Sequence, residues 1–309
     1  MYKTCSRRIG VELEYNSFDR LSRSNSTNNL PNGIYVFGDI IKNTLGKVVD
    51  INKWHQTNNN TNWIVKPDSS CGLEVCSPPQ QPHHALVEVR KVIEGLLSNN
   101  SITADERCSL HVHVEIEDFD ENDLCFLVSK WIHFEPFFYF LTKKNRWINR
   151  YCKPLGFFYA FNDANTINAK KCIEALSDNK YFAINFYHYK KDKRKTIEFR
   201  IMGNDACLDT DDTLNWCKLI LCFVERCKSE GYKDNLLFDL SYKNIDTIFE
   251  FLDIGSFFED ESVMMWILSK MNEVLHQQNQ DCYIWNQILH FSRPHIRCLM
   301  EKIQGKFGC

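Results

Sequence analysis

Polar side chains able to do chemistry recur at alternate positions in three short apolar segments, residues 10–14, 110–114 and 196–200. Each segment carries two charged or histidine side chains separated by one apolar residue. Because successive side chains of a β-strand point to opposite faces, each polar pair would share one face and the apolar residues would share the other. The pairs are Glu12 with Glu14, His111 with His113, and Glu198 with Arg200.

Such groups on one sheet face suggest a binding site, because charges held away from water are costly unless they bind something. Several carboxylates with a histidine suit a divalent metal ion. An arginine suits a phosphate or a carboxylate, which it grips through two parallel hydrogen bonds. A fourth segment, residues 68–74, adds Asp68, Ser70 and Glu74 around a turn that contains Gly72.

Each segment taken alone also has an ordinary structural explanation. A Glu-x-Glu strand is commonly a solvent-facing edge, because glutamate is rarely buried. A His-x-His pair is often packed or hydrogen-bonded, and Glu198 with Arg200 could form an ion pair. The Asp-Ser-Ser-x-Gly segment is typical of a turn. The combination of the four segments therefore carries the functional interpretation.

The overall composition narrows the class of protein. The chain has 309 residues, of which 44% are hydrophobic and 25% are charged, as in ordinary globular proteins. A net charge of −3 offers no general electrostatic attraction to nucleic acid or to a membrane, so neither partner is predicted. The densest apolar run, residues 126–141, is interrupted by Lys130, His133 and Glu135 and predicts a buried helix rather than a membrane span.

Cysteine usage predicts a cytoplasmic protein. The chain has 14 cysteines, no Cys-x-x-Cys pair, and no apolar leader after Arg7 and Arg8. Cys217, Cys222 and Cys227 lie in an apolar stretch with helical periodicity, where reduced cysteine behaves as a small hydrophobe. We therefore predict free thiols in a reducing compartment.

Hydrophobic periodicity divides the chain into a mixed region and a helical one. Strands are predicted at 9–15, 63–66, 73–77, 110–116 and 196–202, with weaker candidates at 34–37 and 47–51. Residues 183–189 and 196–202 alternate and predict a hairpin with a basic tip, residues 190–195. Helices are predicted at 85–97, 121–140, 210–228, 245–251, 261–276 and around 294–302, and polar loops at 16–33 and 55–62.

These elements predict an α+β architecture, in which an antiparallel sheet with one charged face is followed by a helical C-terminal third. The sheet and its helices would occupy residues 1–205. Residues 206–309 would form the helical part and pack on the same core as part of one domain.

The order and contents of the four segments resemble the amidoligase family. The matching runs are Gly-Val-Glu-Leu-Glu, Asp-Ser-Ser-x-Gly-x-Glu, His-Val-His-Val and Thr-Ile-Glu-Phe-Arg, supported by residues 146–152 and 181–185. The resemblance covers residues 8–205. Members of this family are carboxylate–amine ligases related in fold to glutamine synthetase and glutamate–cysteine ligases.

The resemblance implies a curved antiparallel sheet of the glutamine synthetase and glutamate–cysteine ligase type, with helices on its outer face. The concave face of this catalytic core would bind ATP and divalent ions, Mg²⁺ or Mn²⁺. A substrate carboxylate would be phosphorylated to an acyl phosphate, which an amine or ammonia would convert to an amide. The carboxylate and the amine could belong to small molecules or peptides, and the sequence leaves both, and the oligomeric state, open.

The resemblance also assigns roles to individual residues. The metal ligands would be Glu12, Glu14, Glu74, His111 and Glu198. His113, Asp68, Ser70 and Asn185 would lie beside the nucleotide. Arg200 and Glu198 would act at the transferred phosphoryl group, and Arg146 and Arg150 would hold a substrate carboxylate or a phosphate.

Two departures from the family pattern leave the proposed ligands in place. Ser109 stands where the family tends to have glycine, and Cys76 stands where a small aliphatic or hydroxyl residue is usual. Two other readings remain open at this stage. One is a zinc or iron enzyme in which His111 and His113 are joined by Glu115 or Cys108. The other is a binding module that keeps the sheet without catalysis.

Overall fold

The computed structural model describes residues 5–16, 33–52, 61–146, 148–155, 169–191, 195–230, 251–257 and 262–276. Seven strands form one open sheet in the order β2-β3-β4-β1-β5-β7-β6. The strands are β1 Ile9–Asn16, β2 Val49–Ile51, β3 Trp63–Asp68, β4 Gly72–Cys76, β5 Ser109–Glu115, β6 Ile184–Asn185 and β7 Thr196–Gly203. Neighbouring strands are antiparallel except β2 and β3, which run parallel. The α+β expectation is confirmed.

Helices occupy the intervals between the strands and the C-terminal part. They are α1 Gly33–Leu45, α2 Pro82–Leu97, α3 Glu121–Phe140, α4 Ala169–Asp178, α5 Tyr187–Lys191, α6 Asn204–Cys207, α7 Thr210–Glu230, α8 Ile254–Phe257 and α9 Ser262–His276. The predicted helices at 85–97, 121–140, 210–228 and 261–276 are confirmed. Asp120 caps α3, since its side chain accepts a hydrogen bond from the backbone N–H of Asp123. The side chain of Asp123 accepts in turn from the backbone N–H of Asp120, which completes a capping box.

The sheet has one apolar and one polar face, as strand alternation requires. On the apolar side, Val11, Leu13 and Tyr15 of β1 are buried in the same hydrophobic core as residues of the helices. Helices α2 and α7 contact β1 and β5, respectively, and α1 contacts β3. The polar face is left to the cavity described below.

Aromatic residues join the helical C-terminal region to the sheet. Trp131 of α3 stacks on Phe138 at 4.6 Å and contacts Phe199 of β7 and Phe223 of α7 at 5.4 and 5.7 Å between ring centroids. Helix α9 docks on α7 through Asp212, which accepts from the Trp266 indole at 2.7 Å and pairs with Lys270. These contacts are what one shared core would produce, and the division at residue 205 stays a prediction.

Two predicted strands are wrong in whole or in part. Residues 34–37 lie in helix α1, where Ile34, Phe37 and Ile41 are buried at the three- and four-residue spacing of a helix. Residues 183–189 form a strand only at Ile184–Asn185. The side-chain oxygen of Asn185 accepts from the backbone N–H of Tyr187 at 3.1 Å, and helix α5 follows at that turn.

Several sequence predictions concern residues outside the described part. They are most of the polar loops predicted at 16–33 and 55–62, the centre of the basic tip at 192–194, the helix predicted at 245–251 except its last residue, and the helix around 294–302. Within the described part, no helix is both long enough and apolar enough to cross a membrane. Ten cysteines of that part are free thiols.

Candidate active site

A large polar cavity of ≈ 1320 Å³ lies over the polar face of the sheet. Ten of the residues predicted to form a site line it: Glu12, Glu14, Asp68, Ser70, Glu74, His111, Arg146, Arg150, Glu198 and Arg200. The other two predicted site residues, His113 and Asn185, contact residues that line the cavity. His113 Nε2 lies 3.3 Å from an oxygen of Glu12, and the amide of Asn185 donates to Glu198 at 2.9 Å. Segments far apart in the sequence therefore meet in one place.

The register of the strands brings these side chains together. Across β1 and β5, Glu12 lies opposite His111, and across β1 and β4, Glu14 lies opposite Glu74. Across β5 and β7, His113 lies opposite Glu198. Residues directly opposite each other in an antiparallel pair have Cβ atoms about 4.5–5.5 Å apart, so each pair can share a ligand.

A β-bulge shapes β7 beside the cavity. Leu110 pairs with Met202 and Val112 with Phe199, so that His111 faces two residues of β7 instead of one. The backbone carbonyls of Arg200 and Ile201, the two bulged residues, both accept from the buried guanidinium of Arg146, at 2.7 and 2.9 Å. Arg146 thus holds the distorted segment in place, and its predicted contact with substrate stays a prediction.

Ser109 fixes the orientation of His111. The Ser109 hydroxyl donates to Glu14 Oε2 at 2.7 Å and lies 2.8 Å from His111 Nε2. A ring that donates from Nε2 to this hydroxyl would present the lone pair of Nδ1 to a metal ion. Nδ1 lies 3.3 Å from Glu12 Oε2 and 3.5 Å from Glu198 Oε1. Glu12, His111 and Glu198 can each direct one ligand atom to within 4.8 Å of the others, which suits a metal ion.

Glu198 and Arg200 form an ion pair on β7. Burial opposes ionisation of Glu198, but Arg200, His113 and His111 outweigh it and lower the pKa of the carboxyl to about 2. Glu198 is therefore a carboxylate at neutral pH although it is only 2% exposed.

A second group of charges surrounds Glu74. Burial and the neighbouring Glu12 raise the pKa of Glu74 well above its ordinary value. Burial also opposes ionisation of Glu12, but His113 and Lys66 more than offset it and hold the pKa of Glu12 well below its ordinary value. Lys66 lies opposite Glu74 across β3 and β4, with Nζ 2.9 Å from Oε1. Lys66 thus acts as a counter-ion of the acidic cluster.

The turn between β3 and β4 forms one wall of the cavity. Asp68 Oδ1 accepts from the backbone N–H groups of Ser70 and Cys71, at 2.7 and 3.1 Å. Burial opposes ionisation of Asp68, but the hydrogen bond from the Ser70 hydroxyl and the two backbone bonds outweigh it and lower the pKa of Asp68. Gly72 adopts φ of 131°, a conformation that other residues rarely reach. Asp68 thus has a structural role in addition to its predicted one.

Arg150 lies at the exposed edge of the cavity. Its guanidinium covers the ring of Tyr151 at 4.7 Å and donates to the Tyr151 hydroxyl at 2.6 Å. Arg150 contacts no carboxylate among the described residues and could hold an anionic group, as predicted.

Sequence reasoning missed Lys66 and His188, both of which line the cavity. Lys66 alternates with Asp68 on β3, a signal that was available. His188 lies on helix α5, within a segment misread as a strand, so its position could not be predicted. The sets proposed for a zinc or iron enzyme are not assembled among the described residues: Glu115 pairs with Arg8, and neither Glu115 nor Cys108 joins the histidines in a group of candidate ligands.

A polar, carboxylate-lined sheet face of this kind is what the four motifs led us to expect of a carboxylate–amine ligase. A family model described as "Putative amidoligase enzyme" matches residues 42–224, more than half of the chain. The chain belongs to this family, and it is an enzyme of the amide-forming ligase class.

Solved structures with similar folds come from ligases and a synthetase. The chain resembles glutamate–cysteine ligase from Francisella tularensis in complex with AMP at 12% identity and a TM-score of 0.45, covering 96% of this chain and 89% of that one. It resembles a bifunctional glutathione synthetase from Pasteurella multocida at 12% identity and a TM-score of 0.43, covering 93% of this chain and 50% of that one. A complex of the prokaryotic ubiquitin-like protein Pup with its ligase PafA matches at 8% identity and a TM-score of 0.34, covering 98% of this chain and 66% of that one. No curated protein matches the chain.

Proposed function

We propose that the protein is an ATP-dependent ligase that joins a carboxylate to an amine or ammonia through an acyl-phosphate intermediate. Family membership supports the amide-forming class. The observation that carries the finer proposal is the meeting of Glu12, His111 and Glu198 with Arg200 in one buried cluster. Carboxylates suit the divalent ion that accompanies ATP, and an arginine suits the phosphoryl group that is transferred.

The proposed reaction proceeds in two displacements. An oxygen of the substrate carboxylate attacks the γ-phosphorus of ATP, and ADP leaves with the electrons of the broken P–O bond. The amine nitrogen then attacks the acyl carbon, inorganic phosphate leaves, and a proton from the nitrogen passes to a base or to water. Amide and phosphate are the products.

The donor set fits a divalent cation, Mg²⁺ or Mn²⁺. We assign Glu12, Glu14, Glu74, His111 and Glu198 to the ligand shells of two or more such ions. When bound, the ion would neutralise charge on the phosphates. Ser109 orients His111 toward the ion, and Asn185 fixes the carboxylate of Glu198 through its 2.9 Å hydrogen bond.

The remaining predicted residues serve the substrates in this proposal. Arg200 stabilises the charge on the transferred phosphoryl group. His113, Asp68, Ser70 and Asn185 stay on the nucleotide side. Arg150, at the cavity edge, binds the substrate carboxylate, while Arg146 acts mainly by holding the bulge of β7. The free thiols support a reducing, cytoplasmic setting.

Hydroxylamine trapping tests this proposal. The purified protein is incubated with ATP, Mg²⁺ or Mn²⁺, hydroxylamine and pools of carboxylates, and hydroxamate is measured together with ADP and phosphate. We expect hydroxamate only when ATP, metal and a suitable carboxylate are all present. Glu115→Gln, which changes a β5 carboxylate outside the cavity, serves as the active control.

Two results would contradict the proposal in different ways. AMP and pyrophosphate as products would indicate an acyl-adenylate rather than an acyl phosphate. Binding of nucleotide with no ADP, AMP or hydroxamate formed across broad carboxylate and amine pools would favour the non-catalytic binding module.

A further inference from the structure

Two imidazoles and one carboxylate meet beside the acidic cluster. His113, His188 and Glu198 each offer a ligand atom, and these atoms all lie within 4.8 Å of one another. The rings of His113 and His188 are 5.5 Å apart between centroids and inclined at 57°, so they are not stacked. Their ring edges can therefore converge on one point.

Three different elements place these side chains. His113 of β5 and Glu198 of β7 are direct partners across the two strands. His188 lies on α5, which follows β6, and β6 pairs with β7 so that Asn185 lies opposite Glu198. Strand register thus positions His113 and Glu198, and the turn after Asn185 positions His188.

We propose that His113, His188 and Glu198 form a nitrogen-rich binding site for a transition-metal ion of the zinc class, distinct from the carboxylate-rich site assigned to Mg²⁺. Imidazole suits Zn²⁺, Co²⁺ and related ions, whereas Mg²⁺ prefers oxygen ligands. Two histidines and one glutamate with a position left for water is a ligand set that zinc uses in enzymes. In this site His113 binds a metal ion on the nucleotide side of the cavity.

Glu198 belongs to both groups of ligands. It joins Glu12 and His111 in one and His113 and His188 in the other. A carboxylate has two oxygens, so Glu198 is placed to bridge two neighbouring ions, as in two-metal sites. Glu12 also approaches His113 Nε2 at 3.3 Å, which brings the two groups into contact.

The surroundings of Glu198 act on the site in opposite directions. Asn185 donates to Oε2 and fixes the carboxylate, which strengthens a metal site. Arg200 donates to Oε1, and its positive charge competes with a cation. The two imidazoles are therefore the more important ligands, because Arg200 already neutralises part of the negative charge of Glu198.

Cobalt binding tests the site without requiring any ligase activity. The full-length protein is stripped of metal with a chelator and titrated with Co²⁺, whose visible absorption reports its ligands. We expect one tightly bound Co²⁺ with a spectrum of nitrogen and oxygen ligation. His188→Ala should weaken this binding at least ~10-fold, as loss of a ligand or its support does.

His84→Ala is the matched control, since His84 is exposed on α2 outside the cavity. Its Co²⁺ affinity should equal that of the parent protein. If His188→Ala melts early, His188→Gln replaces it, because glutamine keeps the length of the side chain and does not replace imidazole as a zinc-class ligand.

The proposal is overturned if His188→Ala binds Co²⁺ as tightly as the parent protein. It is also overturned if the folded parent binds no Co²⁺, or if an intense near-ultraviolet sulfur charge-transfer band places the ion on cysteines. A negative ligase assay with positive Co²⁺ results would sink only the proposed function.

Discussion

Arg200 donates a hydrogen bond to the carboxylate of Glu198, two residues earlier on β7, and both side chains line the same cavity. The bulge opposite His111 sets the local course of the strand at this pair. Arg200 also donates from Nε to the backbone carbonyl of Tyr151 at 3.2 Å. One arginine thus contacts both a candidate metal ligand and the segment that carries Arg150.

Substitution of Arg200 by lysine separates catalysis from architecture. Lysine keeps the charge and loses the planar fork, so it cannot restore bidentate contact with a phosphoryl group. A transition-state arginine contributes about 10³-fold or more in rate. We expect Arg200→Lys to melt near the parent temperature and to bind nucleotide normally, with turnover reduced at least ~100-fold. Thermal melting, nucleotide binding and hydroxamate formation measure the three quantities.

The opposite pattern would assign Arg200 to the architecture. If Arg200→Lys melts early while each folded molecule keeps the parental rate, the pair with Glu198 stabilises the sheet and the catalytic role must be withdrawn.

Neutral substitution of the cavity carboxylates tests the metal shell. Glu12→Gln, Glu74→Gln and Glu198→Gln should each weaken Mn²⁺ binding and lower turnover by a large factor. Glu74→Gln should keep the parental stability, because burial already favours the neutral form of Glu74. Glu12→Gln and Glu198→Gln lose attraction to Lys66 and Arg200 and should melt somewhat earlier, so their metal affinity is compared per folded molecule. Metal titration and circular dichroism are the measurements, with Glu115→Gln as the control on the same sheet. Three folded variants with full activity would refute the proposed ligand set.

Replacement of Lys66 by methionine tests its role as counter-ion. Without the ammonium group, Glu12 and Glu74 lose a compensating charge in the metal-free protein. The free energy of unfolding should fall by about 1–2 kcal/mol, a figure discounted for the partial exposure of Lys66. Added Mg²⁺ should raise the melting temperature more than in the parent protein, because no cation competes for the carboxylates. Thermal melting with and without Mg²⁺ reads both effects.

Lys47→Met is the matched control for this experiment, because Lys47 pairs with Glu88 at an exposed position outside the cavity. An Mg²⁺-induced shift that is the same in Lys66→Met and in the parent would show that Lys66 does not balance the acidic cluster.

Removal of the Ser109 hydroxyl tests the orientation of His111. In Ser109→Ala, His111 Nε2 loses its partner, and the ring is no longer held with Nδ1 toward Glu12. We expect metal affinity to fall about 10-fold, at the lower end for loss of a group that orients a ligand. Ser69→Ala, a serine substitution in the same cavity, should leave the affinity unchanged. Equal affinities in the two variants would remove Ser109 from the site.

The sequence by itself determined the composition of the polar sheet face. Alternation of side chains is a local property of a strand, so Glu12 and Glu14 share a face whichever strands lie beside them. Apolar residues at three- and four-residue spacing predicted the helices in the same way. The family followed from the order of the motifs. Where the local pattern was short, prediction failed: residues 34–37 read as a strand although Ile41 extends them into a helical spacing.

Only the tertiary structure decided which polar residues meet. Opposition of His113 to Glu198, or of Lys66 to Glu74, depends on strand order and register, which the pairing of distant segments sets. The bulge at Arg200 and Ile201, the use of Arg146 to satisfy its carbonyls, and the approach of His188 from α5 depend on backbone hydrogen bonds made between elements. The local sequence determines which side chains lie on each strand face, and backbone pairing between distant segments brings them close enough to bind the same ligand.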